Sequence, residues 1–103
     1  MKEIRIAIIG TGMISDRHMT VINNLKKRGQ NLTVVAACDI VKEKVEAFGR
    51  KYGLPEDRLY TDFREMLKRD DIDEVEVCVH NNLHTSVATA VMAAGSPPYT
   101  EQL

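Results

Sequence analysis

Ten consecutive residues, Ile6-Ala7-Ile8-Ile9-Gly10-Thr11-Gly12-Met13-Ile14-Ser15, constrain the fold of this chain more than any other stretch. An apolar run enters two glycines separated by one residue and leaves into an amphipathic pattern, the order strand, tight turn, helix. Gly10 permits the tight turn, and Gly12 lets backbone N–H groups approach a pyrophosphate with no Cβ in the way. The helix that follows would aim its unpaired N–H groups and the positive end of its dipole at that anion. Ser15 occupies the third position of the G-x-G-x-x-G/A fingerprint and is small enough for close helix–strand packing. An ordinary glycine-containing turn between a strand and a helix could use the same residues. What strengthens the nucleotide reading is an acidic residue at the end of the second strand.

The first strand is expected over residues 2–9, its dense Ile and Ala content suiting a strand covered on both faces. A helix follows over about residues 13–28, with Ile14, Val21, Ile22 and Leu25 on one line and Gly29 as its stop. His18 lies on the same line and reads as a packed, hydrogen-bonded residue more than as a ligand or base. The second strand, residues 32–38, ends at Asp39. In a dinucleotide fold an acidic side chain here accepts hydrogen bonds from the adenosine ribose and repels a 2′-phosphate. Asp39 lies 27 residues beyond Gly12, against a typical spacing of about 20; the long first helix and the turn after it account for the excess. Capping the next helix is the alternative role for Asp39, and the two can coexist. Ile40 and Val41 follow it, no arginine is near and Lys42 is the one adjacent cation, a pattern that favours NAD over NADP.

The second helix is expected over about residues 41–52, with Val41, Val45, Phe48 and Tyr52 on one face and Gly53 as its stop. Arg58-Leu59-Tyr60 reads as a short third strand, and Asp62 with Glu65 as a capping-box start to a third helix whose Phe63, Met66 and Leu67 face inward. Asp70, Asp71 and Asp73 form a charged turn, read as a solvated loop and not a metal site because calcium-loop spacing is missing. Val75, Val77 and Val79 belong to a fourth strand, which leads through His80-Asn81-Asn82-Leu83-His84 into a helix ended by Gly95. Strands and helices alternating over short links predict an α/β fold with a doubly wound, parallel, Rossmann-like sheet of order 3-2-1-4. Gly10, Asp39 and Asn81 then meet at the carboxyl edge, where such sheets bind ligands. A fifth strand is disfavoured by Pro97 and Pro98, which cannot donate to a ladder. Glu76 sits mid-strand where a buried charge is costly. The fourth strand is therefore expected at or near an exposed edge, open to self-association or to a partner chain.

The 103 residues suit one domain, and a net charge of −1 with both signs interspersed offers no basic stripe for nucleic acid. No apolar run approaches the ~20 residues of a membrane span, and Met1-Lys2-Glu3 leads into a strand and not a signal-peptide core, so a cytoplasmic location is expected. Cys38 and Cys78 end strands on either side of the first, roughly 9 to 10 Å apart and beyond the ~7 Å reach of a disulfide, and read as reduced packing residues.

Six pieces of sequence, Gly10-Thr11-Gly12-Met13-Ile14-Ser15, Ala37-Cys38-Asp39, Lys51-Tyr52-Gly53, Leu59-Tyr60-Thr61-Asp62-Phe63, Asn81-Asn82-Leu83-His84 and Ala94-Gly95, run in order along nearly the whole chain. Together they resemble the amino-terminal half of the glucose-fructose oxidoreductase/inositol dehydrogenase family of NAD(P)-dependent sugar dehydrogenases. The resemblance implies that residues 1–103 form a dinucleotide-binding domain, cut before the larger α+β domain that carries the sugar pocket. It implies that Gly10, Gly12, Met13 and Ile14 cradle the pyrophosphate and that Asp39 binds the adenosine ribose. Val79, His80 and Asn81 would approach the nicotinamide ribose. His84, at the start of the helix beneath that loop, would either touch the ligand or bond to backbone.

Two departures stand out. The family commonly reads Thr-Pro-Asn where this chain has Val79-His80-Asn81, and Glu-Lys-Pro where it has Glu101-Gln102-Leu103. The lysine supplies a cation and proton donor near the reacting group. Neutral Gln102 cannot replace it in acid–base work, typically worth about 10² to 10⁴ in rate, and the family's downstream histidine has no counterpart in the chain. The expectation is an NAD-binding domain of a sugar or cyclitol oxidoreductase family, with no hydride transfer by the chain alone and neither catalytic nor metal-ligating residues. The alternative is a noncatalytic interaction or structural protein with a vestigial nucleotide site. A methyltransferase shares the glycine turn and the acidic strand end but not the later matches.

Overall fold

The period-two alternation of strand β1, Ile4–Ile9, divides its side chains between two cores. Ile6 and Ile8 point to one and Ala7 and Ile9 to the other, and all four are buried, so the strand is covered on both faces as its composition predicts. The structure, a computed structural model, describes residues 2–78 and 98–100. After β1 come helix α1 (Met13–Lys27), β2 (Leu32–Cys38) and α2 (Lys42–Tyr52). A short 3₁₀ turn, Glu56–Arg58, leads into β3 (Leu59–Tyr60), followed by α3 (Phe63–Met66), β4 (Glu74–Val77) and β5 (Pro98–Thr100). All neighbouring strands pair in parallel, in the order β3-β2-β1-β4-β5. The 3-2-1-4 order is as expected, and the fifth strand is a correction. Pro98 opens β5 on the side of the described sheet with no further neighbour, a place where a missing N–H is tolerated.

Helices α1 and α2 supply Met19, Ile22, Val45 and Phe48 to the core that holds Ile6 and Ile8, and α3 supplies Met66 to the core that holds Ala7 and Ile9. The inward line of α1 runs through Ser15, His18, Met19 and Ile22, while Val21 is 57% exposed. Val21 stands on the shoulder of that line, which corrects its placement on the apolar face. Val41 is likewise outside α2, serving as its N-cap. Two of the three glycine stops are as read, with φ +95° at Gly29 and +77° at Gly53, and the third, Gly95, lies outside the described residues. Asp62 caps α3 through the Arg64 N–H at 3.0 Å. One glycine carried no signal in sequence. A Cβ on Gly49, inside α2, would lie 2.7 Å from Leu59 Cδ1 and 3.1 Å from the Leu54 carbonyl oxygen, so a bare backbone lets α2 lie against β3.

Glu76 follows from the same alternation. Its register partner on β1 is Ile8, so it faces α1, and His18 Nδ1 lies 3.1 Å from its Oε2 with both side chains buried. Burial pushes the Glu76 carboxyl above its ordinary value, against the opposing pull of His18. Taking away one partner of such a pair leaves a buried charge at a cost of about 3–5 kcal/mol, whereas the complete pair is close to neutral. The fourth strand is near the edge of the described sheet, as expected, but one strand in from it. Its charge is met from within the chain, and β5 flanks it with Val75 opposite Pro98 and Val77 opposite Thr100.

The aspartate turn is also corrected. Arg69 grips Asp71 through two bonds of 2.8 and 2.7 Å, and the Arg5 guanidinium holds Asp73 at 3.0 and 3.2 Å while its backbone N–H adds a third bond of 2.8 Å. Asp73 thus clasps the segment entering β4 to β1, and Asp71 is held within that segment by Arg69, which also donates to Tyr60 Oη of β3 at 3.0 Å, in place of a solvated loop. Among the described residues no group of three or more His, Cys, Asp or Glu could hold a metal, and no helix is long and apolar enough to cross a membrane. Cys38 and Cys78 are buried in opposite cores. Burial, with Asp39 and Asp62 nearby, pushes the Cys38 thiol up to about 12.

The Arg5 clasp has a pH signature. It lowers the Asp73 carboxyl from 3.8 to about 2, so the stability it contributes is complete above pH 3.8 and is lost as pH falls through about 2. Denaturant titrations from pH 7 to pH 2 should show Asp73→Asn less stable than the parent at neutral pH, with the difference closing between about pH 4 and pH 2. A constant difference across that range would exclude the clasp.

Candidate nucleotide-binding site

At the end of β1 the backbone takes φ +90° at Gly10, a conformation that side chains rarely tolerate. The Gly10 N–H donates to the Cys38 carbonyl at 2.8 Å, pinning the ends of β1 and β2 side by side. Gly12 returns to extended geometry, φ −83° and ψ −157°, as the N-cap of α1. Ser15, wholly buried, closes the first turn by donating both its N–H, at 3.1 Å, and its hydroxyl, at 2.5 Å, to the Gly12 carbonyl. Its small size is what the third fingerprint position requires.

Among the described residues, the amino end of α1 carries no side-chain cap and a Cβ built on Gly12 would meet nothing within 4 Å. Bare backbone N–H groups, a dipole end and open space coincide there, the ingredients of an anion site. Asp16, acidic and in the first turn, is occupied elsewhere. It accepts from Tyr52 Oη at 2.5 Å and Lys51 Nζ at 3.1 Å, and these bonds hold its carboxyl below the ordinary range.

Asp39 is half-buried just past β2. Its Oδ2 accepts from the Thr11 N–H at 2.9 Å and the Thr11 hydroxyl at 3.0 Å, and its Oδ1 accepts from the Val41 N–H at 2.9 Å. Its own N–H donates to the Tyr60 carbonyl at 3.0 Å. Asp39 thus makes an Asx-type turn ahead of α2, whose N-cap is Val41, and binds the glycine turn at the same time. Beside it Ile40 is 77% exposed and at the start of α1 Met13 is 87% exposed, while Ile14 is half-buried.

Gly10, Gly12, Met13, Ile14 and Asp39 are therefore drawn together at the carboxyl edge of the sheet, as the fingerprint predicts, with Thr11 as the connector that sequence reading left out. Its signal was a hydroxyl residue between two glycines. Val79, His80, Asn81 and His84 lie outside the described residues. His18 is a buried partner of Glu76, in keeping with its reading as a packed residue. A groove of about 330 Å³ between α1, β2 and the end of α2, with Asn23, Lys26 and Lys51 among its lining residues, is separate from this turn.

The model of an oxidoreductase family with an NAD-binding Rossmann fold matches residues 4–100. The chain belongs to that family. It is an NAD-binding Rossmann domain, and the resemblance carried by its glycine turn and later motifs is confirmed. Inositol 2-dehydrogenase of Salmonella typhimurium is 29% identical over 99 residues, covering 96% of this chain and 28% of that enzyme. The 4-carboxy-2-hydroxymuconate-6-semialdehyde dehydrogenase of Sphingobium is 31% identical over 91 residues, covering 88% and 27%. The crystal structure of the WlbA dehydrogenase from Bordetella pertussis, in complex with NADH and UDP-GlcNAcA, superimposes with a TM-score of 0.85 at 24% identity over 96% of this chain and 28% of that one. That likeness establishes the fold. The chain spans about a quarter of the length of these relatives, a smaller share than the half that its motifs suggested.

The two glycines should separate in mutagenesis. Gly10→Ala forces a side chain into a positive-φ position at a cost of about 1–3 kcal/mol. Gly12→Ala meets open space at an accessible φ and should stay within about 1 kcal/mol of the parent. Equal destabilisation by the two in chemical denaturation would contradict this geometry.

Proposed function

We propose that Gly10, Gly12, Met13 and Ile14 hold the pyrophosphate of NAD and that Asp39 holds its adenosine ribose. The chain serves as the cofactor-binding part of a sugar or cyclitol oxidoreductase. One observation carries the reading: the uncapped end of α1, open beside Gly12, with the Asp39 carboxylate fastened to the same turn by Thr11. Backbone N–H groups favour the diphosphate. The carboxylate accepts from a ribose hydroxyl and repels a 2′-phosphate, so NAD is preferred over NADP. Exposed Ile40 follows Asp39 and offers apolar surface on the adenosine side.

Bound NAD supplies a nicotinamide that accepts or donates a hydride; the residues of this chain bind and orient it. Val79, His80, Asn81 and His84 complete the proposal toward the nicotinamide ribose, on the strength of the family resemblance alone. Substrate binding and proton transfer fall to parts of the relatives beyond the matched stretch, since that stretch is 28% of inositol 2-dehydrogenase and Gln102 stands where a lysine is expected. In this reading the chain alone binds NAD without reducing it. Two buried thiols with no disulfide fit a reducing compartment, the cytoplasm.

Calorimetric titration of the chain with NADH and with NADPH tests the reading. NADH should saturate and bind more tightly than NADPH, and Asp39→Ala should weaken NADH about tenfold or more while narrowing the difference. Failure of the folded chain to bind either dinucleotide would leave the vestigial-site reading in its place.

A further inference from the structure

Asp39 does not stand alone at the ribose position. An aspartate at a strand end has freedom about two side-chain torsions, and in this structure both of its oxygens are tethered. Thr11 places two donors, its N–H at 2.9 Å and its hydroxyl at 3.0 Å, on the same oxygen, Oδ2. The Val41 N–H, at 2.9 Å, takes one position on Oδ1. A carboxylate oxygen accepts about two hydrogen bonds, so among the described residues Oδ2 is filled by Thr11 and Oδ1 retains an acceptor position. Thr11 in turn is held by its neighbours, Gly10 pinned to Cys38 on one side and Gly12 capping α1 on the other.

We infer that Thr11 is a positioning and specificity-determining residue: its hydroxyl fixes the Asp39 carboxylate with Oδ1 presented to the adenosine ribose, and thereby sets the preference for an unphosphorylated 2′-hydroxyl. The inference rests on the assignment of Asp39 to the ribose made above. A 2′-hydroxyl donates a proton to the presented oxygen. A 2′-phosphate only accepts, and meets a negative charge that cannot swing away. Fixing the anion therefore helps the first ligand and penalises the second. A carboxylate free to turn would do less of both, because it could leave the ribose unbonded and retreat from the phosphate.

Three variants separate this role from a structural one. Thr11→Val keeps the shape and the backbone N–H but removes the hydroxyl, Thr11→Ala removes it without adding a methyl, and Thr11→Ser retains it. Dissociation constants for NADH and NADPH are measured on each, with melting temperature alongside. Thr11→Val, or Thr11→Ala should the valine variant not fold, is expected to weaken NADH about threefold to tenfold and to change NADPH less, so that the NADH preference narrows. Thr11→Ser is expected to restore both the affinity and the preference. An equal loss for both dinucleotides, or an unchanged ratio in a folded variant, overturns the inference while leaving the Asp39 assignment intact, provided that the parent binds NADH and Asp39→Ala weakens it. A parent chain that does not bind NADH overturns the assignment and the inference together.

Discussion

The positive φ at Gly10 is the constraint on which the rest of the site depends. At that residue the chain must stop being a strand, stay hydrogen-bonded to the end of β2, and turn within two residues into a helix. The Gly10 N–H on the Cys38 carbonyl satisfies the second demand, and only a residue without a Cβ meets the first and third at low cost. Once the turn is made, Thr11 faces Asp39, Gly12 leaves the amino end of α1 open, and Ser15 ties the first helical turn to the Gly12 carbonyl. The open amino end of α1 and the Asp39 carboxylate fastened beside it are consequences of one backbone angle.

The platform beneath the turn is held by a different kind of constraint. β1 is buried on both faces, and the strand beside it must therefore keep the same alternation or leave a charge uncompensated. Glu76 breaks the apolar pattern of β4, and its partner is His18 on the helix that begins at the glycine turn. The pair joins α1 to β4 across the core, so α1 is located from both of its sides: by the Gly10 pin at its start and by a buried polar contact one turn beyond Ser15. On the far flank, Gly49 allows α2 to approach Leu59, which keeps β3 close to β2 and to Asp39, whose N–H bonds to Tyr60.

Much of this was legible in sequence, for a physical reason. Helix stops, strand periodicity and the glycine fingerprint are local signals, each complete within a few residues, and they place four strands, three helices and the turn. What was not legible depends on partners distant in sequence. Glu76 reads as an exposed-edge residue until His18, 58 positions away, is folded against it. Asp71 and Asp73 read as solvated charges until Arg69 and Arg5 are placed beside them. Val21 belongs to the apolar line by spacing, yet in the folded chain it is Met19 that is buried and Val21 that faces outward. The two prolines argue against a fifth strand only if the strand is central; at the margin of the described sheet Pro98 can begin one. The role of Thr11 is not legible in sequence because its partner lies 28 residues on, at the end of a different strand.

The most direct test of the account is where on this surface the dinucleotide lands. Titration of the ¹⁵N-labelled chain with NADH, followed through backbone amide shifts, should perturb Gly10, Thr11, Gly12, Met13 and Ile14 together with Asp39, Ile40 and Val41, two segments that meet only in the folded turn. The amides of Asn23, Lys26 and Lys51, around the groove between α1 and α2, should stay still. Perturbations centred on that groove, with the glycine turn unmoved, would contradict the account.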